Sequence, residues 1–222
     1  PCETVWIQPA AGDAGGALGV ALFTWHQLLE NQRLPRPTDS QKGTLLGPGF
    51  TDEEIAAELD LHGAVYTRLS SFEDVCETAA DLLASEKVVG WFQSRMEFGP
   101  RALGHRSLLA VPPPAAAKDK MNRVKYREWW RPTAPMLTRE SAPRVFAETA
   151  RAGGVSPFMS FAPPLEAALQ ALLPAVWHYD GTARLQTVSA RDDAWLHALL
   201  LAVARRPRTP AGEGGPPRHF AA

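Results

Sequence analysis

The sequence predicts an α/β fold of α+β type, with a mixed sheet flanked by helices. Short strand-like runs alternate with helix-length segments through the middle of the chain. At 222 residues and 45% hydrophobic content, the chain can bury a substantial core. A capping box also marks one helix start unambiguously: Thr51 with Glu54 three positions on, in "TDEEIAAEL".

In chain order, "TVWIQP" (4–9) reads as a short strand. "AGDAGGALGVALFTWHQLLENQ" (11–32) then turns through glycines into an apolar helix. A Pro-bearing loop (33–50) leads to the capped helix at Thr51. "AVYTRL" (64–69) reads as a strand, Ser71 to Ser85 as an amphipathic helix, and "KVVGWFQ" (87–93) as a buried strand. "RSLLAV" (106–111) is a further strand, Ala115 to Val124 a helix, and "RPTAPMLT" (131–138) an extended segment. This organisation divides the chain into a strand-turn-helix and linker over 1–46, a compact domain over 47–205, and a tail over 206–222. The tail, "RPRTPAGEGGPPRHFAA", lacks apolar periodicity and is expected to be disordered.

The 23 Lys and Arg residues against 24 Asp and Glu give a net charge of −1, which excludes a generally basic nucleic-acid coat protein. The charge is unevenly spread. Residues 1–86 carry 4 basic and 14 acidic side chains, whereas residues 87–139 carry 11 basic and 3 acidic.

Cys2 and Cys76 have no CxxC spacing, so they support neither a zinc site nor a disulfide framework; reduced cytoplasmic thiols are expected. No apolar run approaches the roughly 20 residues of a membrane span. The start "PCETVWIQP" lacks both a methionine and a basic leader, as a fragment beginning inside a fold would.

The central charge falls in two groups. "SRMEFGPRALGHRSLLA" (94–110) carries Arg95, Arg101 and Arg106 between two strands, so these side chains belong at one end of a sheet. "NRVKYREWWRP" adds Arg123, Lys125, Arg127 and Arg131 around Trp129 and Trp130. Guanidinium groups fork onto phosphate or carboxylate oxygens, and lysine adds a point charge. Gly99 and Gly104 would let backbone amides approach an anion, with Pro100 stiffening the turn. Two such groups facing one cleft suit a ligand with several phosphates. A solvated basic loop pairing with the acidic N-terminal helices is the plain alternative. Base stacking on Tyr126, Trp129 and Trp130 is another, although the glycines, prolines and acidic N-terminal third count against nucleic acid.

"RMEFGPRALGHRSLLA", "MNRVKYREWWRPTAPMLT", "SPFM" (156–159) and "WHYDGTARLQTV" (177–188) closely resemble the C-terminal domain of the ATP-dependent O-carbamoyltransferases of nodulation-factor and antibiotic biosynthesis. "IQPAAGDAGGALGVAL" resembles the end of that family's preceding actin-like (ASKHA) domain. The resemblance implies a YrdC-like open twisted sheet flanked by helices over 47–205, and an actin-like remnant before it. It also implies that this domain joins carbamoyl phosphate to ATP as carbamoyl-adenylate. The actin-like domain would then pass the carbamoyl group to a hydroxyl of a sugar or other small-molecule acceptor. No nucleic-acid or membrane partner is implied. A threonylcarbamoyl-adenylate synthase is the nearest alternative enzyme, and the "GDAGGALG" helix argues against it; an inactive nucleotide-binding remnant is the alternative of another class.

On this resemblance, Arg95, Arg101, Arg106, Lys125 and Arg131 bind phosphate and carbamoyl groups and line one concave surface. Lys118, Lys120, Arg123, Arg127 and Arg184 contribute, and Glu97 orients an arginine. His178 and Asp180 shape the pocket. Gly15 and Gly16 would lie near nucleotide phosphates, and Mg2+ would accompany the ATP. Asp13 would help hold iron or another divalent metal, together with two histidines that lie upstream of residue 1; read without the family, it is an N-cap. After "RDDAWLHALLLAVARR" the family continues into a nucleotide-contacting strand and turn. Here the sequence passes abruptly into Pro/Gly/Arg-rich composition, as a reading-frame change would produce.

Overall fold

The structure, a computed structural model, describes residues 7–112, 116–147 and 155–206, and the backbone of 220–221. The run 11–32 forms helix α1 (Asp13–Phe23), which continues as a π-helical turn over Thr24–Leu28. Its N-cap is Gly12; Asp13 follows as the first helical residue and makes no capping hydrogen bond, so the N-cap expectation is corrected by one position. Its carboxylate instead faces the positive end of the helix dipole. No residue of α1 is buried, and Val20, Phe23, Trp25 and Leu28 are all exposed. The strand expected over 4–9 falls largely outside the described residues, and residues 7–9 have no strand partner.

Helix α2 (Asp52–Leu61) starts where the capping box places it. Thr51 Oγ1 accepts from the Glu54 amide (3.2 Å), and Glu54 Oε2 accepts from the Thr51 amide (2.8 Å). The strand expected over 64–69 does not form. That segment has no regular secondary structure and is solvent-exposed, and Tyr66 donates its hydroxyl to Asp60 (3.2 Å). A period-2 pattern needs a sheet face to bury on, and this one meets none among the described residues.

Helix α3 (Phe72–Ala84) is capped by Ser71 and buries Cys76, Ala79, Ala80 and Leu83, one face at helical spacing. It packs beside α6 (Ala194–Ala204), which contributes Leu196, Leu199, Leu200 and Val203 to the same core. Glu77 and Asp81 on α3 pair with Arg206 just beyond α6, fastening the two helices at that end. Strands β1 (Val89–Phe92) and β2 (Arg106–Leu109) form an antiparallel pair, with Trp91 opposite Ser107 and Phe92 opposite Arg106. Trp91 and Leu109 enter the α3/α6 core.

After α4 (Ala116–Val124), β3 (Pro135–Thr138) lies at the centre of a second sheet. It runs parallel to β4 (Gln186–Val188) and antiparallel to β5 (Phe220–Ala221). The single-turn α5 (Ala167–Gln170) lies between β3 and β4. The pleat divides the interior: Met136 and Val188 join the α3/α6 core, whereas Leu137 and Leu185 join a second core with Phe146, Leu165 and Val176. The second sheet is mixed, as expected, but the one open sheet is replaced by two small ones among the described residues. Of the tail, 207–219 lies outside the described residues, while Phe220 and Ala221 pair with β3.

Candidate functional site

The loop from 94 to 105 is organised by a buried carboxylate. Glu97 Oε1 accepts from the amides of Leu103 (2.7 Å), His105 (2.8 Å) and Arg106 (3.3 Å). The expectation that Glu97 orients an arginine side chain is thereby corrected, because its hydrogen bonds go to backbone amides and it orients the loop that bears Arg101. Gly104 takes φ +102°, and a Cβ there would meet Leu196 Cδ2 at 2.2 Å, so the loop needs glycine to lie against α6.

Arg95 and Arg106 are engaged by backbone carbonyls. Arg106 gives Nη1 to the carbonyls of Gln93 (2.6 Å) and His105 (2.8 Å), and Nη2 to those of Ser94 (2.9 Å) and Pro48 (3.3 Å). Its guanidinium carbon sits 3.5 Å from the Phe92 ring centroid. Arg95 donates to the Leu46 carbonyl at 3.2 Å. Both arginines fasten the 46–49 segment to the β1–β2 pair through charged hydrogen bonds to its carbonyls. In this structure both side chains are engaged by backbone, whereas Arg101 and Lys125 belong with the group described next.

A different group converges. Arg184 enters just before β4, Lys125 and Arg127 follow α4, and Arg101 comes from the Glu97 loop. Burial lowers the Arg184 pKa, and the charges of Arg101 and Arg127 lower it further. Its buried Nε has no hydrogen-bond partner in the structure. Lys125 is solvent-accessible as a residue, yet partial burial of its ammonium group holds its pKa below the usual lysine range, helped by Arg127 and Arg184. Arg127 is lowered by burial and by Arg131, against a smaller opposing effect of Glu128. Burial is the largest cause of each shift and the neighbouring cations add to it, so an anion placed among these groups would offset their mutual repulsion.

Asn122, 2% exposed, fixes Arg127 within this group. Its Oδ1 accepts from Arg127 Nε (2.5 Å), and its Nδ2 donates to the carbonyls of Trp129 (3.0 Å) and Arg131 (2.9 Å). Nothing in the sequence singled out Asn122, whose amide is read as a fixed clamp only once the turn it spans is seen.

The remaining candidates are otherwise engaged or exposed, Arg131 at the edge of the group beside Arg127. Arg131 pairs with Glu128 (2.6 Å) and sits over Trp130. Lys118 lies 6.0 Å from the Trp129 centroid, and Lys120 donates to the Glu86 carbonyl (2.8 Å). Arg123 is exposed. His178 and Asp180 both bond Thr182 (2.9 and 2.8 Å), which closes the turn leading to Arg184.

A cavity of about 270 Å³ joins Gly12 and Ala10, at the start of α1, to Gly99, Arg101 and Met159. It is where the glycine turn and the arginine loop meet. Gly15 is packed tightly, since a Cβ there would lie 2.3 Å from the Ala10 carbonyl oxygen; Gly16 is open. Among the described residues, no three His, Cys, Asp or Glu side chains could hold a metal together, and Asp13 is exposed. Asp13 would be one ligand of the metal that the resemblance implied, whose two histidines it assigned upstream of residue 1. The Cys76 thiol is buried, and burial pushes its pKa up to about 11, so it is no nucleophile. No helix among the described residues is long and apolar enough to cross a membrane.

The model of the family described as "Carbamoyltransferase C-terminus" matches residues 80–211, which span both arginine groups and Arg184. The chain belongs to the carbamoyltransferase C-terminal family. It is 41% identical over 223 residues to an uncharacterized protein of Synechocystis sp., covering 89% of this chain and 35% of that protein. It is 40% identical over 209 residues to nodulation protein NolNO of Sinorhizobium fredii, covering 94% of this chain and 30% of that protein. Nodulation protein NolO of Bradyrhizobium diazoefficiens is likewise 40% identical, with 94% of this chain and 37% of that protein covered. The chain thus spans about a third of the length of these curated relatives.

Proposed function

We propose that this chain is the carbamoyl-adenylate-forming part of an ATP-dependent O-carbamoyltransferase, with carbamoyl phosphate and ATP as substrates. The observation that carries this reading is the mutually repelling group Arg101, Lys125, Arg127 and Arg184, held by the Asn122 clamp and the Glu97 loop. Such a group is costly unless an anion completes it, and a triphosphate beside an acyl phosphate supplies several negative charges at once.

In this reading the Arg184 and Arg101 guanidinium groups hold phosphate oxygens in place. Carbamoyl phosphate first loses inorganic phosphate to water, leaving carbamate, whose oxygen then displaces pyrophosphate from the α-phosphorus of ATP; Lys125 and Arg127 neutralise the charge that grows on the departing pyrophosphate. A Mg2+ ion would arrive on the nucleotide's own phosphates. The carbamoyl group would then pass to a hydroxyl of a small-molecule acceptor on the upstream domain of a longer protein.

The test is carbamoyl-phosphate-dependent exchange of labelled pyrophosphate into ATP. Exchange by the wild type that Arg184→Gln reduces by 100-fold or more would support the reading; exchange indifferent to Arg184 would overturn it.

A further inference from the structure

We infer that the exposed indole of Trp130 is the platform on which the base of a nucleoside triphosphate stacks. The inference rests on the reading of the cation cluster as a phosphate site and adds the subsite for the other end of the same ligand.

Three large aromatic side chains stand in water within five residues: Tyr126 (99% exposed), Trp129 (73%) and Trp130 (58%). Aromatic surface left in water at this density marks a binding surface. What distinguishes Trp130 is its continuity with the cations. The Arg131 guanidinium carbon lies 5.4 Å from the Trp130 centroid. Arg131 depresses the pKa of Arg127, and Arg127 in turn acts on Lys125 and Arg184. The indole is therefore the rim of the cluster.

The rim is also fixed in place. Asn122 bonds the carbonyls on either side of Trp130 and accepts from Arg127 Nε, so one buried amide sets ring and guanidinium relative to each other. Arg127 and Trp130 are three residues apart in sequence, so their Cα atoms are separated by at most about 11 Å. A ligand whose phosphates rest on Arg127 and Lys125 can extend its base over the indole.

Charge decides which occupant fits. A purely apolar partner would have to desolvate cations placed against the rings: Arg131 over Trp130, and Lys118 near Trp129 at 6.0 Å. An anion that carries a flat π-system matches both features, because a base stacks on the ring while its phosphates meet the cations.

The experiment is calorimetric titration of the full chain with ATP and, separately, with inorganic tripolyphosphate, which carries the charge without the base. Trp130→Leu should weaken ATP binding roughly 10-fold, within the range for one stacked base, and leave tripolyphosphate affinity within about 2-fold. Trp130→Phe should retain most of the ATP affinity. Equal losses for both ligands, or no loss for ATP, would overturn the inference. So would an adenine oligonucleotide that binds more tightly than ATP and loses the same factor on Trp130→Leu, since the platform would then serve nucleic acid. Arg184→Gln separates the two levels. If it weakens tripolyphosphate while Trp130→Leu leaves ATP unchanged, the phosphate site stands and the platform falls; if the wild type binds neither ligand, both fall.

Discussion

His105 Nε2 lies 2.9 Å from Asp193 Oδ2, joining the start of β2 to the first turn of α6 across 88 residues of sequence. Asp193 also accepts from the Leu196 amide (2.9 Å) as the N-cap of α6, and from Gln93 Nε2 (3.2 Å). Gln93 in turn accepts from the buried Trp91 indole (2.8 Å). Burial opposes ionisation of Asp193, but the hydrogen bonds from His105, the Leu196 amide and Gln93 outweigh it and hold its pKa below the usual carboxylate value.

Asp193→Ala should therefore cost about 3–5 kcal/mol, since it leaves His105 and Gln93 buried without their acceptor and also removes a helix cap. The pH dependence follows from the direction of the shift. A depressed folded pKa contributes stability that is present above the unfolded value near 3.9 and is lost as pH falls through the folded value. Urea unfolding between pH 7 and pH 3 should show wild type losing stability at the acid end. Asp193→Asn, already destabilised, should show less of that slope; parallel slopes would contradict the assignment.

Gly104→Ala should cost about 2–4 kcal/mol, combining a left-handed backbone with a collision against Leu196 in the α3/α6 core. Gly16→Ala should instead stabilise by about 0.5–1 kcal/mol, because its Cβ would enter open space inside a helix. Thermal unfolding of both variants checks the contrast. A neutral Gly104→Ala would mean that the loop does not lie against α6.

Much of this was legible in the sequence, and the failures have physical causes. The Thr51 capping box, the apolar face of α3, the β1 and β2 runs and the mixed character of the β3 sheet all follow from local patterns, and each formed. The 64–69 run also read as a strand and formed none, because a strand-like composition does not specify the partner that must pair with it. At the site, composition located the cations, but not where their side chains point. Arg106 and Arg127 look alike in sequence; one meets four carbonyls, whereas the other, bonded to Asn122, joins a group of like charges. The His105–Asp193 contact has no local signature, as 88 residues separate its members.

The two arginine classes should separate experimentally. Arg106→Ala should destabilise the fold by about 2–3 kcal/mol, since its carbonyl partners lose charged donors. Once the variant is folded, its affinity for ATP should remain within about 2-fold of wild type. Denaturant midpoints and binding isotherms on the same samples read both quantities, and an affinity loss without a stability loss would return Arg106 to the ligand site.

The central claim is that Arg101, Lys125, Arg127 and Arg184 form an anion site, and the most direct measurement is ATP affinity as a function of salt. Raising salt from about 50 to 200 mM should weaken ATP binding, because mobile ions screen the attraction between these cations and the phosphates. Arg184→Gln and Arg101→Ala should each weaken it by about 1.5–3 kcal/mol, the worth of hydrogen bonds to charged groups, and each should flatten the salt dependence. ATP affinity unmoved by salt and by both substitutions would contradict the account.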